Sequence, residues 1–257
     1  MAFKVPEERG EKAARAINSH PGVSHNYLRD HDFNFWFTLA VPPERDLEAE
    51  IKKLAEEAGA QASLVLPIKR VFRIAVIFDL EAGQTGDGNF TYEGLSEKPD
   101  EKTIRLVRAT QEPLPLSPRP FLEVAAKAGV SEEELLSWIK EMLRKRVMRR
   151  FAGLVRHHRV GFRENVMVAW KVPESRVVEV GQALAQEQGI THCYERRSYP
   201  HWPYNLYTML HARENAEGKI KEISQKYKLS DFVALKTLKE YKKVRLKLFP
   251  EENSGNF

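Results

Sequence analysis

The sequence predicts an α+β protein: two ferredoxin-like βαββαβ units with a winged helix-turn-helix between them. Three observations predict it. The string "SHNYLRDHDFNFWFTL" at Ser24–Leu39 returns as "THCYERRSYPHWPYNLYTML" at Thr191–Leu210, with His, Tyr, Arg, an aromatic-Asn pair and a closing Leu in the same order. The match extends upstream, where "MAFKVPEER" at Met1–Arg9 parallels "VAWKVPESR" at Val168–Arg176. Between the halves, residues 101–150 have no counterpart and read as three helices.

Each half runs in the same order. A short apolar strand ends at Val-Pro, and Pro6 or Pro173 sits where a helix start tolerates a missing N–H. Helices follow at about 7–19 and 174–187, ending near Gly22 and Gly189. The two strings hold the next strands. Second helices cover about 44–58 and 214–228, and last strands about 68–79 and 235–248. Residues 81–100 are polar, Gly-rich and aperiodic, hence a linker. "EKTIRLVRATQ", "RPFLEVAAKAG" and "SEEELLSWIKEMLRKR" are the three inserted helices. Ser131 and Glu134 form a capping box, and the Ala-Gly-Val turn at 128–130 has helix-turn-helix spacing. "VMRRFAGLV" at 147–155 reads as the wing. The boundaries are a first unit at 1–80, the linker at 81–100, the winged helix at 101–160 and the second unit at 161–257.

At 257 residues the chain exceeds most single cores, and 42% hydrophobic content lets each domain bury one. No apolar run nears the roughly 18–20 residues of a membrane span and no leader opens the chain, so a cytoplasmic protein is expected. The single cysteine, Cys193, excludes an intrachain disulfide and a cysteine-rich metal site. The net charge of +5 suits a polyanion, either nucleic acid or a small molecule with many carboxylates.

Alternate residues of a strand share a face. His192, Tyr194 and Arg196 fall on one side, and Thr191, Cys193 and Glu195 on the other. His25, Tyr27 and Arg29 repeat the first pattern. Such a face is poor core material, because each buried polar group needs a partner. It suits a flat aromatic polyacid: Arg grips carboxylates, Tyr offers a ring and a hydroxyl, and His exchanges protons near neutral pH. The alternative is a pseudo-dimer interface with mixed polar packing. In the second string, "RSYPHWP" places His201 between two prolines, a stiff loop whose His201, Trp202 and Tyr204 would wall a macrocycle, or else a structural loop with an exposed His. The first half offers only "DHDF", with His31, so the second half reads as the working one. In "RHHR", His157 and His158 point oppositely if extended; one could face a ligand, and the spacing is poor for a metal. Toward the end, Val244, Leu246 and Leu248 alternate with Lys243, Arg245 and Lys247, a half-buried strand whose basic face is either solvated or attracts carboxylates.

A winged helix followed by βαββαβ resembles the Lrp/AsnC effector-type architecture. "VPEERGEKAARAINSHPGVSHNYLRDHDFNFWFTL" is similar to the A subunit of siroheme decarboxylase. "LVRHHRVGFRENVMVAWKVPE" with "ITHCYERRSYPHWPYNLYTMLH" is similar to the B subunit. The chain then resembles an A–B fusion without the A-side winged helix. The resemblance implies a siroheme substrate that loses carbon dioxide from two acetate side chains, giving 12,18-didecarboxysiroheme for haem or haem d1 biosynthesis. It implies no cofactor, since the iron belongs to the substrate, and no protein-held metal. The assembly would be an intrachain pseudo-heterodimer able to pair as a homodimer. His192, His201 and Tyr194 are the candidate proton donors. Arg196 and Arg197 would hold carboxylates, with Trp202, Tyr204, His157, His158, His25, Tyr27, Arg29 and His31 as further substrate contacts. The competing classes are a DNA-binding regulator and a non-catalytic tetrapyrrole carrier. Against the regulator, Glu132, Glu133 and Glu134 crowd the end of the recognition helix that should approach phosphates.

Overall fold

The structure is a computed structural model and describes residues 1–74, 99–145, 147, 148, 151 and 164–249. Most of the linker and of the wing lies outside them, as do His157 and His158.

The repeat is present in the same order in both halves, except that the last strand of the first half is split in two. The first half carries β1 (Ala2–Lys4), a 3-10 turn at Glu7–Arg9 leading into α1 (Gly10–Ser19), β2 (His25–Arg29), β3 (Phe35–Phe37), α2 (Leu47–Ala58), β4 (Ala62–Leu64) and β5 (Ile68–Ile74). Three helices follow: α3 (Glu101–Thr110), α4 (Pro120–Ala128) and α5 (Glu132–Arg144). The second half carries β6 (Glu164–Trp170), a 3-10 turn at Glu174–Arg176 leading into α6 (Val177–Ala185), β7 (Ile190–Arg196), β8 (Leu206–Ala212), α7 (Ala216–Tyr227) and β9 (Phe232–Lys243). Local chemistry sets the ends. The Asp46 carboxylate accepts from Glu48 N at 2.9 Å to start α2, and Gly59, at φ 67°, takes the left-handed turn that stops it.

Strand pairing departs from two self-contained units. The order is β4-β1-β3-β2-β9-β6-β8-β7-β5. β4 pairs with β1, but β5, three residues later, pairs with β7 of the other half. β9 does both in one strand: its start pairs with β6 and its end with β2. Each half therefore lends the end of its last strand to the other. Side-chain alternation says which face is buried, not which sheet receives the strand. A second correction concerns the end of β9. The strand stops at Lys243, and Val244 and Leu248 are half exposed, so "VRLKL" is not the half-buried strand expected.

The helices cover one sheet face in each half, over Phe3, Ile17, Phe35 and Leu54 in the first and Trp170, Val180, Leu184 and Leu206 in the second. A third core joins the faces the helices leave bare: Trp36, Leu64 and Leu66 meet Trp202, Tyr207 and Leu235. At about 1.5–3 kcal/mol for each large side chain buried, this cluster is a main reason the halves stay together.

The described residues fall into two compact units, one made by both halves up to Val244 and the other by α3–α5 with the segment from Arg245. In the second unit Leu106, Val124, Leu135 and Ile139 form the core. Ser131 accepts from Glu134 N at 3.1 Å, and Gly129 turns the chain at φ 71°. The segment from Arg245 is tied to α3, with Leu248 N donating to Gln111 Oε1 at 2.8 Å.

Candidate functional site

The two histidine strings form matching ladders. On β7 the rings of His192 and Tyr194 lie 5.9 Å apart, and the Arg196 guanidinium sits 5.4 Å from the Tyr194 ring. On β2 the corresponding separations are 6.2 Å for His25 and Tyr27, and 5.4 Å for Arg29 over Tyr27. Tyr27 lies opposite Trp36 and Tyr194 opposite Tyr207 in the ladders of backbone pairs. Cross-strand partners share a face, so both ladders look inward with the third core. Cys193 packs in the helix-side core, where burial pushes its thiol up. The ladder residues are therefore placed by simple alternation, as the sequence implies.

The two arginines are tied to the exchanged strands. Arg29 Nη1 donates to Leu235 O at 2.8 Å and to Thr237 Oγ1 at 3.1 Å. Arg196 Nη1 donates to Leu66 O at 2.5 Å. Both carbonyls lie where a strand passes from one half to the other. Burial lowers the Arg29 pKa to about 10 and shifts Arg196 the same way.

The "RSYPHWP" insert is a small hairpin. Tyr199 and Trp202 exchange backbone hydrogen bonds of 2.9 Å, leaving Pro200 and His201 at the tip. His201 is exposed and its ring stacks 5.7 Å from that of Tyr199, over which Arg197 sits at 5.3 Å. The Tyr199 hydroxyl donates to Val65 O at 2.5 Å, a second tie on the crossover. Trp202 turns the other way and is buried, donating from Nε1 to Tyr207 Oη at 2.6 Å. Its ring meets His31 at 5.3 Å, Trp36 at 5.7 Å and Tyr204 at 5.0 Å.

Of the thirteen sequence-derived candidates, His157 and His158 lie outside the described residues, and the other eleven form separate groups. His192, Tyr194 and Arg196 form one ladder, and His25, Tyr27 and Arg29 the other. His31, Trp202 and Tyr204 share an inner cluster. Arg197 and His201 flank Tyr199 on the outside, where Arg197 and Tyr199 help line a cavity of about 450 Å³ with Lys52, Glu48, Val65 and Pro67. That volume is within the range of small-molecule pockets. Burial lowers the pKa of His25 and of His31, against the opposing pull of Glu240 on the first and of Asp32 and Asp30 on the second. Tyr27 is pushed up to about 12 by burial, then by Glu240.

Sequence reasoning missed Asn34 and Asn205. Asn205 Oδ1 accepts from Val172 N at 2.9 Å and its Nδ2 donates to Val172 O at 2.8 Å. Asn34 makes the same pair with Val5, at 3.0 and 2.8 Å. The repeated aromatic-Asn pair was the available signal. It clamps the Val-Pro strand end to the motif loop in both halves.

An inward-facing exchanged sheet, joined to a separate three-helix unit, defines an AsnC-like ligand-binding protein with a helix-turn-helix. The family profile for the AsnC-like ligand binding domain matches residues 1–73 and 159–242, and that for the siroheme decarboxylase NirDL-like HTH domain matches 103–149. The siroheme decarboxylase of Hydrogenobacter thermophilus is 41% identical over 98% of this chain and 76% of its own length. The siroheme decarboxylase NirDL subunit of Paracoccus pantotrophus is 36% identical over 84% of this chain and 67% of its own. A crystal structure of the siroheme decarboxylase NirDL superposes with a TM-score of 0.72 at 39% identity, covering 97% of this chain and 74% of that one. The same enzyme with an iron-uroporphyrin III analogue gives 0.71, at 39% identity over 97% and 73% of the two chains. The chain belongs to the siroheme decarboxylase family. No helix among the described residues is long and apolar enough to cross a membrane.

Proposed function

We propose that this chain is a carboxy-lyase that removes carbon dioxide from two acetate side chains of siroheme, acting in the cytoplasm as an intrachain pseudo-heterodimer. The duplicated His-Tyr-Arg ladder, turned inward on both halves, carries the reading. As a carboxylate leaves, the C–C electron pair stays on the exocyclic carbon and spreads into the macrocycle. A proton from the protein then makes the methyl group. No cofactor is needed, because the ring is the electron sink. His192 is the preferred donor: it is half-buried on the inner face beside Tyr194, whereas His201 is exposed at a hairpin tip. Arg197 and Lys52, which line the same cavity, attract the substrate's carboxylates.

The test is anaerobic incubation with siroheme and mass analysis of the product. Loss of two carboxyl groups is expected; unchanged siroheme bound stoichiometrically would favour a carrier. Replacing His192 with Ala should slow the single-turnover rate by about 10²–10⁴-fold while siroheme still binds. A wild-type rate would move the proton donor elsewhere.

A further inference from the structure

Thr191 is the extra residue of a bulge in β7: Ile190 faces Leu210 and His192 faces Met209, so Thr191 has no partner of its own on β8. In a regular strand its side chain would point away from that of His192. Bulges re-aim side chains, and here the Thr191 hydroxyl lies 2.8 Å from His192 Nδ1. Met209 O is 3.4 Å from the same hydroxyl, on its other side. Thr191 is 1% exposed, so water does not compete for these contacts. The first half repeats the arrangement with different residues. Ser24 Oγ is 2.9 Å from His25 Nδ1, and its second contact is Thr38 Oγ1 at 2.8 Å. Each ladder histidine thus directly follows a hydroxyl residue that bonds its Nδ1 and has a further polar contact of its own.

We propose that Thr191 is a positioning residue for the decarboxylation: with its proton turned to Met209 O, it accepts from Nδ1–H of His192 and leaves Nε2 as the nitrogen that delivers the proton. This rests on the reading of His192 as donor. In the step, the bond between the acetate methylene carbon and its carboxylate breaks and carbon dioxide departs. Its electron pair, left on that carbon, takes the Nε2 proton of imidazolium His192. The neutral ring keeps Nδ1–H on Thr191, and Nε2 is reprotonated from solvent. A hydroxyl can hold this tautomer through the cycle because it accepts from Nδ1 in both charge states.

The experiment compares Thr191→Val and Thr191→Ser in the full chain. Ring nitrogen NMR of the ligand-free protein reports the His192 tautomer, with His192→Gln assigning the signal. Single-turnover decarboxylation and spectroscopic siroheme titration report rate and binding. The expected result is neutral His192 in the Nδ1–H form, with Thr191→Val erasing that preference. Thr191→Val should also slow turnover about 10–100-fold without weakening siroheme binding, and Thr191→Ser should restore both. An Nε2–H ring in the unmodified protein overturns the proposal, as does a Thr191→Val variant with the original tautomer and rate. A rate cut by His192→Gln but untouched by Thr191→Val sinks the positioning claim alone. A rate unaffected by His192→Gln sinks the donor reading, and the catalytic role of Thr191 with it.

Discussion

Asn34 and Asn205 show how one side chain can hold a motif in place. Each amide satisfies both the N–H and the C=O of a valine that precedes a proline, and at Asn205 the exchange is buried. Asn205→Ala should lower unfolding free energy by about 1–3 kcal/mol, the cost of leaving buried backbone groups without partners. Asn34→Ala should cost less, because its pair is partly open to water. Urea midpoints at constant slope measure both, and equal losses would contradict the burial argument. His31 carries a pH effect. Its folded pKa is depressed by burial below the unfolded value near 6.5. The unfolded chain therefore binds the proton first. The stability His31 contributes is complete above about pH 6.5 and is lost as pH falls from there through the lowered folded value. His31→Asn keeps an acceptor for Phe33 N and removes the titration. The fall in urea midpoint between about pH 7.5 and about pH 5 should be shallower in the variant, and an unchanged fall would place the effect on other groups.

At the scale of elements, α5 is the recognition helix of a helix-turn-helix by position, but its first turn is acidic. Glu132 is ion-paired to Arg119 and Glu134 to Lys102, so two cations that could face phosphate are engaged. At the other end Arg144 and Lys145 share Glu141. Duplex DNA binding should be weak, strongly salt-dependent and indifferent to sequence in a shift assay. Tight, sequence-specific binding at physiological salt would revive the regulator reading. The hairpin of the second string is a further element, where the first string has only the shorter "DHDF". Its polar groups tie down the crossover, with Tyr199 on Val65 O, while its Trp202 fills the inner core.

At the scale of the whole molecule, strand exchange makes the halves interdependent. β5 completes the sheet of the second half and the end of β9 that of the first. Residues 1–74 expressed alone would leave β5 without β7, and β2 without β9. Each half alone should be unfolded or aggregated by circular dichroism and gel filtration, and co-expression should recover a one-to-one complex. A stable monomeric half would contradict the exchanged pairing.

Much of this is local and therefore legible in residues. The repeat, the Val-Pro helix starts, the Ser131 cap and the inward His-Tyr-Arg face follow from propensity and from alternation, which depend on neighbours in the chain. The three inserted helices were equally readable from their caps and periodicity. Four matters were decided only by tertiary structure. Pairing is a contact between distant segments, so which half β5 and the end of β9 join could not be read from their own residues. Arg29 and Arg196 looked like free carboxylate ligands until folding set them against Leu235 and Leu66 carbonyls. In the sequence His201 and Trp202 read together as one wall over a macrocycle, yet the hairpin turn separates them, with Trp202 in the core and His201 outside. The bulge at Thr191 overrides strict alternation at one residue, because an unpaired position in the ladder resets where a side chain points.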